Sequence, residues 1–520
     1  MRIAVALLLS IALGDDWTDA RDAAKAALKN PDPAARESAA DKLGAFDKTE
    51  SLELLVDLWG VSAQLLRQMN AEKAEKIRKL DAMPIKKKLQ GGAVTLSGDE
   101  VAQHAEFKKL EEEIKQLEAK IGREEQARRA VRKSLLGLKS ADTVRTLTRK
   151  ISGETEWSIR AAAAEALAEH DSPDVKDALR KALKSEKDPR AVLSIVDAIA
   201  RLRDRDAVPA LGETLKKAAE WQVKATVIDA LRRIADPRGI EFLIESLKDA
   251  DGRLRDDANS ALVAITGVDK HGDHATWKDW WATNRESILA GTYKKPDAKP
   301  NEKGGATTFY GIPIVSKRVL FILDRSGSMA EKATFTKTND TPTGPGQPGP
   351  QGKPAGDRKI DVAKFELKNA ILGLKEDVRF NVIFFNHGYS IWLEDAMELA
   401  TAANKKKALE FVEACQPEGQ TNIFDPTEKG FLLNDSKDPR AKADAEMGAF
   451  KGGVDTIYLM SDGMPNNGRI TEPGAIVAKV TEMNKTRKIV IHTIAVGDQI
   501  RGDFMKELAE RNGGKFVHRK

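Results

Sequence analysis

Cysteine is nearly absent from this sequence. The single cysteine, Cys415, cannot form a disulfide within the chain, so an exported form must be stable through packing alone. We expect Cys415 to be buried rather than nucleophilic, because no histidine and asparagine arrangement points to it. Aromatic residues make up 5% of the chain and charged residues 32%, a balance typical of helices with long solvated faces.

Charge of one sign is not concentrated anywhere along the chain. Lys and Arg total 85 and Asp and Glu total 80, and the two signs are interspersed rather than gathered into a basic stripe. Because nucleic-acid-binding proteins usually carry such a stripe, we expect no nucleic-acid partner.

Long apolar runs are also lacking. A membrane-spanning helix needs ~20 apolar residues, and no run in the sequence reaches that length. The run from Ile3 to Leu13 is shorter, follows Arg2 and reaches small residues before Asp15. That pattern is typical of a secretory signal, and an amphipathic first helix of the mature fold is the alternative. We predict a signal peptide over residues 1–14, no membrane span, and a secreted, periplasmic or cell-envelope location.

An internal repeat organises the first half of the chain. Similar triplets, each a polar residue followed by two apolar ones, begin at residues 134, 165, 197, 229 and 260, at intervals of 31, 32, 32 and 31 residues. Such a period indicates a solenoid. Each unit combines two amphipathic helices and a turn with Asp, Pro or Gly, as in DALRRIADPRGIEFLIESL. The pattern resembles HEAT-like helical repeats, with a shorter period than is usual for them. We predict an α-helical solenoid over residues 136–290, and a related helical repeat region over residues 15–60.

A different helical pattern lies between these two regions. Apolar residues spaced by 3, 4, 3 and 4 form a coiled-coil seam: Phe107, Leu110, Ile114, Leu117 and Ile121. The Lys/Glu-rich stretch over residues 65–88 is its nearest partner, so we predict an antiparallel coiled-coil hairpin over residues 61–135. This hairpin is either an arm for a partner or for self-association, or a long repeat that packs on the solenoid.

The repeats end near Gly267 in a segment with two alternative interpretations. Histidine and aspartate can bind metals, so His271, Asp273 and His274 could form a metal site. The tryptophans that follow favour the other interpretation, a cap over the last repeat. The next stretch is polar and rich in Pro, Gly and Lys without an apolar period, which predicts an interdomain linker over residues 291–308.

After the linker the apolar pattern changes to short continuous runs. RVLFILD, VRFNVIFF, DTIYLMSD and KIVIHTIAV are typical of buried central strands, and helical stretches lie between them at residues 360–374, 402–415 and 472–485. This alternation predicts an α/β, Rossmann-like domain over residues 309–520, with a parallel sheet covered by helices on both faces. A hairpin through residues 386–388 would add one antiparallel edge strand.

Polar side chains stand where the strands of this predicted sheet end, and they come from three loops: Asp324, Ser326, Ser328, Thr421 and Asp462. Ligands of such sheets bind at the carboxyl ends of the strands. Oxygen donors without thiolate or imidazole suit a hard cation, Mg²⁺ first and Mn²⁺ or Ca²⁺ next. Two carboxylates and three hydroxyls would leave positions of the ion open to water or to an acidic side chain of a partner protein.

These residues carry a family resemblance. Residues 319–520 resemble a von Willebrand factor type A domain, whose DxSxS motif is matched by Asp324, Ser326 and Ser328, its separate threonine by Thr421 and its later aspartate by Asp462. The resemblance implies a metal-ion-dependent adhesion site (MIDAS), with the three hydroxyls contacting the ion directly or through water. It also implies that both aspartates contribute through bound waters. A Pro/Gly-rich insertion over residues 335–358 departs from the family pattern, and we predict that it is disordered.

Three classes of function fit this arrangement. The first is an exported adhesion-type protein that captures an acidic residue of a partner protein through the ion, with the repeats as scaffold. The second is a non-catalytic assembly subunit of a chelatase-like enzyme complex, and the third is a purely structural scaffold. A GxxxxGK phosphate-binding loop is absent from the sequence, and the motif supplies no histidine base for its serines. We therefore predict a protein that is not an enzyme.

Overall fold

The computed structural model describes residues 16–84, 97–153, 156–296, 307–333, 353–394, 396–433, 450, 453–497 and 502–519. The chain divides into two compact units, Met1–Ala210 and Leu211–Lys520. The predicted signal peptide lies outside the described residues, as do most of the predicted linker and insertion. No helix within the described ranges is long and apolar enough to cross a bilayer.

Helices make up the first part of the chain. They are α1 (16–27), α2 (Pro33–Leu43), α3 (Thr49–Ala82), α4 (Gly98–Gly137), α5 (Ala141–Gly153), α6 (Trp157–Leu167), α7 (Pro173–Ser185) and α8 (Pro189–Arg201). The series continues with α9 (Val208–Lys217), α10 (Trp221–Ile234), α11 (Ile240–Ser246), α12 (Gly252–Thr266) and α13 (His274–Leu289). Helices α6, α8, α10 and α12 begin 31 or 32 residues apart, which is the spacing of the sequence repeat.

The two longest helices, α3 and α4, pack against each other. Leu66 of α3 forms a small apolar cluster with Leu117 and Ile121 of α4. Lys76 Nζ lies 2.8 Å from a carboxylate oxygen of Glu113. Higher residue numbers in α3 therefore meet lower ones in α4, so the pair is antiparallel, as in the predicted hairpin. Because α3 begins at Thr49 and α4 ends at Gly137, the predicted hairpin limits, 61 and 135, both fall inside helices.

A stacked arginine recurs in the repeats. The Arg190 guanidinium lies 4.2 Å from the Trp157 ring centroid, and the Arg253 guanidinium lies 5.2 Å from that of Trp221. In both cases the tryptophan starts one helix and the arginine lies in the first turn of the equivalent helix one repeat later. Cation–π contacts of this kind favour the same offset between successive repeats.

The C-terminal part of the second unit is an α/β domain. Its strands are β1 (Thr308–Phe309), β2 (Ile312–Pro313), β3 (Arg318–Asp324), β4 (Arg379–Phe385), β5 (Tyr389–Ile391), β6 (Glu398–Leu399), β7 (Thr456–Ser461), β8 (Val490–Val496) and β9 (Phe516–Arg519). Its helices are α14 (Lys359–Gly373), α15 (Ala402–Ala414), α16 (Phe424–Leu432), α17 (Pro473–Arg487) and α18 (Gly502–Arg511). The main sheet has the order β5-β4-β3-β7-β8-β9, and β6 also pairs with β4.

Strands β3, β4, β7, β8 and β9 are parallel, whereas β5 and β6 pair with β4 in antiparallel orientation. Alternate residues of β3 face different cores: Phe321 lies in the core that contains α14, and Leu320 and Ile322 lie in the one that contains α17. The continuous apolar runs therefore reflect burial on both faces of the sheet. Cys415 packs in the core of α14, as predicted, and burial raises the pKa of its thiol to about 11.

The strand order of the sheet reverses direction at β3. From β3 the chain passes to β4 on one side, and after β6 it returns to β7 on the other side of β3. The carboxyl ends of β3 and β7 therefore form a topological switch point, where ligands of open α/β sheets bind. The predicted fold class, a helical solenoid followed by an α/β domain, is confirmed.

Candidate metal site

The two aspartates of the predicted site lie side by side at this switch point. Asp324 is the last residue of β3, and Asp462 directly follows β7. Both residues have 0% exposure, because the apolar strands that carry them are buried on both faces. The sheet thus places two carboxylates in the interior at the ends of neighbouring strands.

The loop after β3 folds back over these carboxylates. The backbone N–H of Ser326 donates to Asp324 Oδ1 at 2.7 Å, and a short 3₁₀ turn over Gly327–Ala330 follows. The Ser326 and Ser328 hydroxyl oxygens are 3.1 Å apart, and the Ser328 hydroxyl donates to Asp462 Oδ1 at 2.7 Å. Alternate residues of the DxSxS motif therefore point to one place.

Thr421 reaches the same place from the loop before α16. Its backbone N–H donates to the Asn466 side chain at 2.8 Å, and its carbonyl accepts from the backbone of Asn466 and Asn467 at 3.0 and 3.1 Å. A methyl group added at Gly463 would lie 3.3 Å from Thr421 Oγ1 and 3.9 Å from Ser328 Oγ. The two hydroxyls thus flank one point beside Asp462, where glycine leaves room.

The buried carboxylates perturb each other. Burial and the nearby charge of Asp462 raise the pKa of Asp324 to about 7, although hydrogen bonds from Ser461 and Ser326 act in the opposite direction. The Ser461 hydroxyl donates to Asp324 Oδ2 at 2.5 Å. The hydrogen bonds therefore do not fully offset the cost of burying the negative charge of Asp324. A bound cation would lower that cost.

A lysine that the sequence patterns do not reveal also belongs to the site. Lys359, the first residue of α14, donates to Asp462 Oδ2 at 2.9 Å and to Glu331 Oε2 at 2.8 Å. Burial tends to lower the pKa of the Lys359 ammonium, but its hydrogen bonds to Glu331 and Asp462 outweigh burial and raise that pKa. The Pro/Gly-rich insertion separates Lys359 from the DxSxS motif, so no local spacing marks it.

Two family models match parts of the chain. Residues 114–198 and 187–263 match the family model for HEAT repeats, and residues 356–517 match that for the von Willebrand factor type A domain. The chain carries a type A domain. The predicted combination of HEAT repeats and a C-terminal type A domain is confirmed.

The chain is also similar to curated proteins over a little more than a third of its length. The chain is 25% identical over 205 residues to inter-alpha-trypsin inhibitor heavy chain H3 of Mesocricetus auratus, covering 39% of this chain and 19% of the relative. It is 25% identical over 202 residues to heavy chain H2 of Mus musculus, covering 38% and 17%. The chain therefore spans about a fifth of the length of the relatives it matches.

Solved structures with similarity to this chain include type A domains. One is the von Willebrand factor type A protein from Catenulispora acidiphila, with a TM-score of 0.28, 16% identity and coverage of 40% of each chain. A further solved structure with similarity to this chain is the manganese-loaded TRAP protein of Plasmodium vivax, with a TM-score of 0.24, 20% identity and coverage of 37% of this chain and 62% of that one.

The donor set at the switch point fits a hard divalent cation. Two carboxylates and three hydroxyls converge at the strand ends, and oxygen ligands of this kind suit Mg²⁺, Mn²⁺ or Ca²⁺. The described residues contain no group of three or more His, Cys, Asp or Glu side chains placed to hold a metal. An ion at the switch point would therefore depend on the serine and threonine hydroxyls as well as on Asp324 and Asp462.

Proposed function

We propose that this chain is an exported binding protein whose type A domain holds a divalent cation, Mg²⁺ first, and uses it to capture an acidic side chain of a partner protein. The observation that carries the proposal is the buried pair of carboxylates, Asp324 and Asp462, faced by three hydroxyls at the switch point of the sheet. The donors would be Asp324, Ser326, Ser328, Thr421 and Asp462, which form the predicted MIDAS.

Each group in this set has a distinct task. Asp324 and Asp462 would balance the charge of the ion, and the hydroxyls of Ser326, Ser328 and Thr421 would contact it directly or through water. With so few anionic donors, a bound ion remains a strong electrophile that attracts a further carboxylate. Ser328 is more exposed than the two aspartates, so the partner side chain would approach from the side of the serine loop.

The HEAT repeats would act as a scaffold with a second surface for protein contacts. Proteins built from stacked helical repeats commonly present extended binding surfaces, and the α3–α4 hairpin would add an arm for a partner or for self-association. Export rests on the apolar segment at residues 1–14 and is independent of the metal site.

The first test is metal binding to the full chain. We expect Mn²⁺ titration to show a single saturable site and a rise in melting temperature, both lost in Asp324→Ala and Thr421→Ala. Thr283→Ala serves as the matched control, because Thr283 is exposed on α13 and bonds only its own helix among the contacts described. If Mn²⁺ neither binds nor stabilises the wild-type chain, the metal-dependent function is wrong.

The second test concerns the partner. Envelope proteins retained on the immobilised full chain in Mg²⁺ should elute with EDTA and should not be retained by Thr421→Ala. Replacement of one Asp or Glu in the retained protein should then abolish binding, as capture through its carboxylate requires. Retention that survives EDTA would contradict the proposal, and co-purification of an ATPase motor subunit would favour the chelatase-like assembly role instead.

A further inference from the structure

Lys359 places a positive charge inside the candidate metal site. Its side chain is 6% exposed, and its ammonium lies 2.9 Å from Asp462 Oδ2. The other oxygen of that carboxylate accepts the Ser328 hydroxyl. The Asp462 carboxylate therefore accepts one hydrogen bond from the Ser328 hydroxyl, which faces the ion position, and one from the Lys359 ammonium.

The surroundings of Lys359 fix this charge in place. Its backbone N–H donates to the Glu331 carbonyl at 2.9 Å, and the Glu331 side chain accepts its ammonium. Gly497, at φ +77, follows β8, and a methyl group there would lie 3.4 Å from Lys359 Cε. The lysine side chain therefore passes the end of β8 at van der Waals distance from this residue, whose positive φ favours glycine.

Backbone pairing joins the segment before the Pro/Gly-rich insertion to the last residues of the insertion. Lys332 and Arg358 form an isolated antiparallel bridge, and the Ala333 backbone N–H donates to the Asp357 carbonyl at 2.8 Å. Lys359 follows this bridge directly. Its position therefore depends on backbone pairing as well as on its own ion pairs, so a substitution of its side chain leaves the surrounding chain path supported.

Within the part of the chain that the structure describes, two buried carboxylates and the buried Lys359 ammonium lie at the ion position, and the half-exposed Glu331 carboxylate lies beyond that ammonium. A divalent cation that enters must bind against the field of that ammonium at close range, where the protein interior screens charge poorly. We propose that Lys359 is a built-in counter-ion that weakens metal binding, so that the type A domain remains folded without the ion and exchanges it readily. This inference rests on the proposed metal site.

The counter-ion has a consequence for partner capture. Lys359 cancels one of the two negative charges of Asp324 and Asp462. A carboxylate of the partner protein that ligates the ion would restore that charge. Ion and partner should therefore each raise the affinity of the other, because such a coupling is reciprocal. A site without the lysine would hold the ion more tightly and depend less on the partner.

A positioning role for Lys359 is the competing explanation, and one substitution separates the two. Lys359→Gln removes the charge but keeps an N–H donor for Asp462, whereas Lys359→Met removes both. The counter-ion role predicts tighter Mn²⁺ binding in both variants, on the order of ten-fold. A positioning role predicts unchanged binding in Lys359→Gln and weaker binding in Lys359→Met.

Lys364→Met is the matched control. Lys364 lies on the same helix and is 7% exposed, but its ammonium donates to the Glu413 backbone carbonyl at 2.9 Å. We would strip the full chain with EDTA, verify folding by thermal melting and titrate it with Mn²⁺ by calorimetry. Lys364→Met should bind Mn²⁺ like the wild type. If Lys359→Met does not fold, Lys359→Gln alone decides the question.

The outcomes distinguish the inference from the function on which it rests. Tighter binding in Lys359→Gln than in a wild type that itself binds Mn²⁺ supports both. Equal or weaker binding in Lys359→Gln overturns the counter-ion role and leaves the metal site standing. Binding by Lys359→Gln but not by the wild type would support the counter-ion role and overturn the proposed function, and absence of binding in both would overturn both.

Discussion

Asp324 and Asp462 occupy the carboxyl ends of two neighbouring parallel strands, and neither carboxylate is exposed. Two buried negative charges at the ends of neighbouring strands repel each other, which favours the protonated form of Asp324. Hydrogen bonds from Ser326 and Ser461 and the ammonium of Lys359 offset this repulsion in part. The stability of the metal-free domain should therefore depend on the protonation of Asp324.

The first prediction is a loss of stability with rising pH in EDTA. The pKa of Asp324 rises from 3.8 to about 7 on folding, so the folded state holds a proton between these values that the unfolded state has released. The free energy of unfolding should fall as pH rises from about 4 to 7, by at most about 4 kcal/mol, since one pKa unit corresponds to 1.36 kcal/mol.

Chemical denaturation at pH 5 and pH 8 in EDTA measures this effect, with Asp324→Asn as the comparison. The variant cannot titrate at this position, so its free energy of unfolding should change less between the two pH values. Mg²⁺ should stabilise the wild type more at pH 8 than at pH 5, because the ion competes with the proton. Equal pH dependence in the wild type and Asp324→Asn would contradict the assignment.

The second prediction concerns Asn466, which fixes the backbone of Thr421 without being a predicted donor. Asn466→Ala removes the side-chain oxygen that accepts the Thr421 N–H and should weaken Mn²⁺ binding several-fold, because net contributions of single hydrogen bonds are about 1 kcal/mol. Asn467→Ala is the control, since its side chain donates to Gln420 instead. Calorimetric titration of both variants should show weaker binding in Asn466→Ala alone. A wild-type affinity there would contradict the positioning role.

Patterns with a local period made the architecture predictable from sequence. The apolar runs of β3, β4, β7 and β8 occur where they were predicted, because central parallel strands are buried on both faces. The five candidate donors were also predictable as a group, since carboxyl ends of parallel strands meet at one edge. Whether they hold an ion stays a prediction.

Contacts between distant polar residues were not predictable in the same way. Lys359 lies 103 residues from Asp462 in the chain, and Asn466 lies 45 residues after Thr421. Neither residue belongs to an apolar period or a motif, and exposed lysine and asparagine are common in loops and first turns of helices. Only the pairing of chain segments in three dimensions brings these side chains to the site.

The third prediction tests the contact between the last repeats and the sheet within the second unit. The Arg253 guanidinium on α12 donates to the carbonyls of Asp455 and Lys488, which lie just before β7 and β8. It also pairs with Asp257 Oδ2 at 3.2 Å, and burial raises the pKa of Asp257 although Arg253 acts to lower it. One side chain thus bonds two carbonyls and a carboxylate whose side chain is 32% exposed.

Arg253→Ala should lower the free energy of unfolding by about 2–3 kcal/mol, because it removes hydrogen bonds to both carbonyls and the ion pair with Asp257, while the Val490 backbone N–H still donates to the Asp455 carbonyl. Arg232→Ala is the control: Arg232 is nearly half exposed and pairs with Asp229 on its own helix, so its loss should cost less than about 1 kcal/mol. Denaturant unfolding of the full chain measures both. Equal effects would mean that the repeats do not depend on Arg253 for this contact.

The last prediction concerns a buried ion pair in the first unit. Arg36 on α2 and Glu124 on α4 are almost completely buried and form a two-point contact, and the Ser62 hydroxyl donates to Glu124 Oε1 at 2.6 Å. Glu124→Ala leaves the Arg36 guanidinium buried without its carboxylate. This should lower the free energy of unfolding by about 3–5 kcal/mol.

Apolar replacement of both partners separates the two roles that this pair can have. If the pair matters mainly because each charge needs the other, Arg36→Met combined with Glu124→Leu should recover most of the stability lost in Glu124→Ala. Glu111→Ala controls for loss of a glutamate on α4, because Glu111 pairs with Lys108 in solvent. A double variant as unstable as Glu124→Ala would instead show that the pair, with Ser62, specifies how α2, α3 and α4 pack, which apolar side chains of similar volume cannot replace.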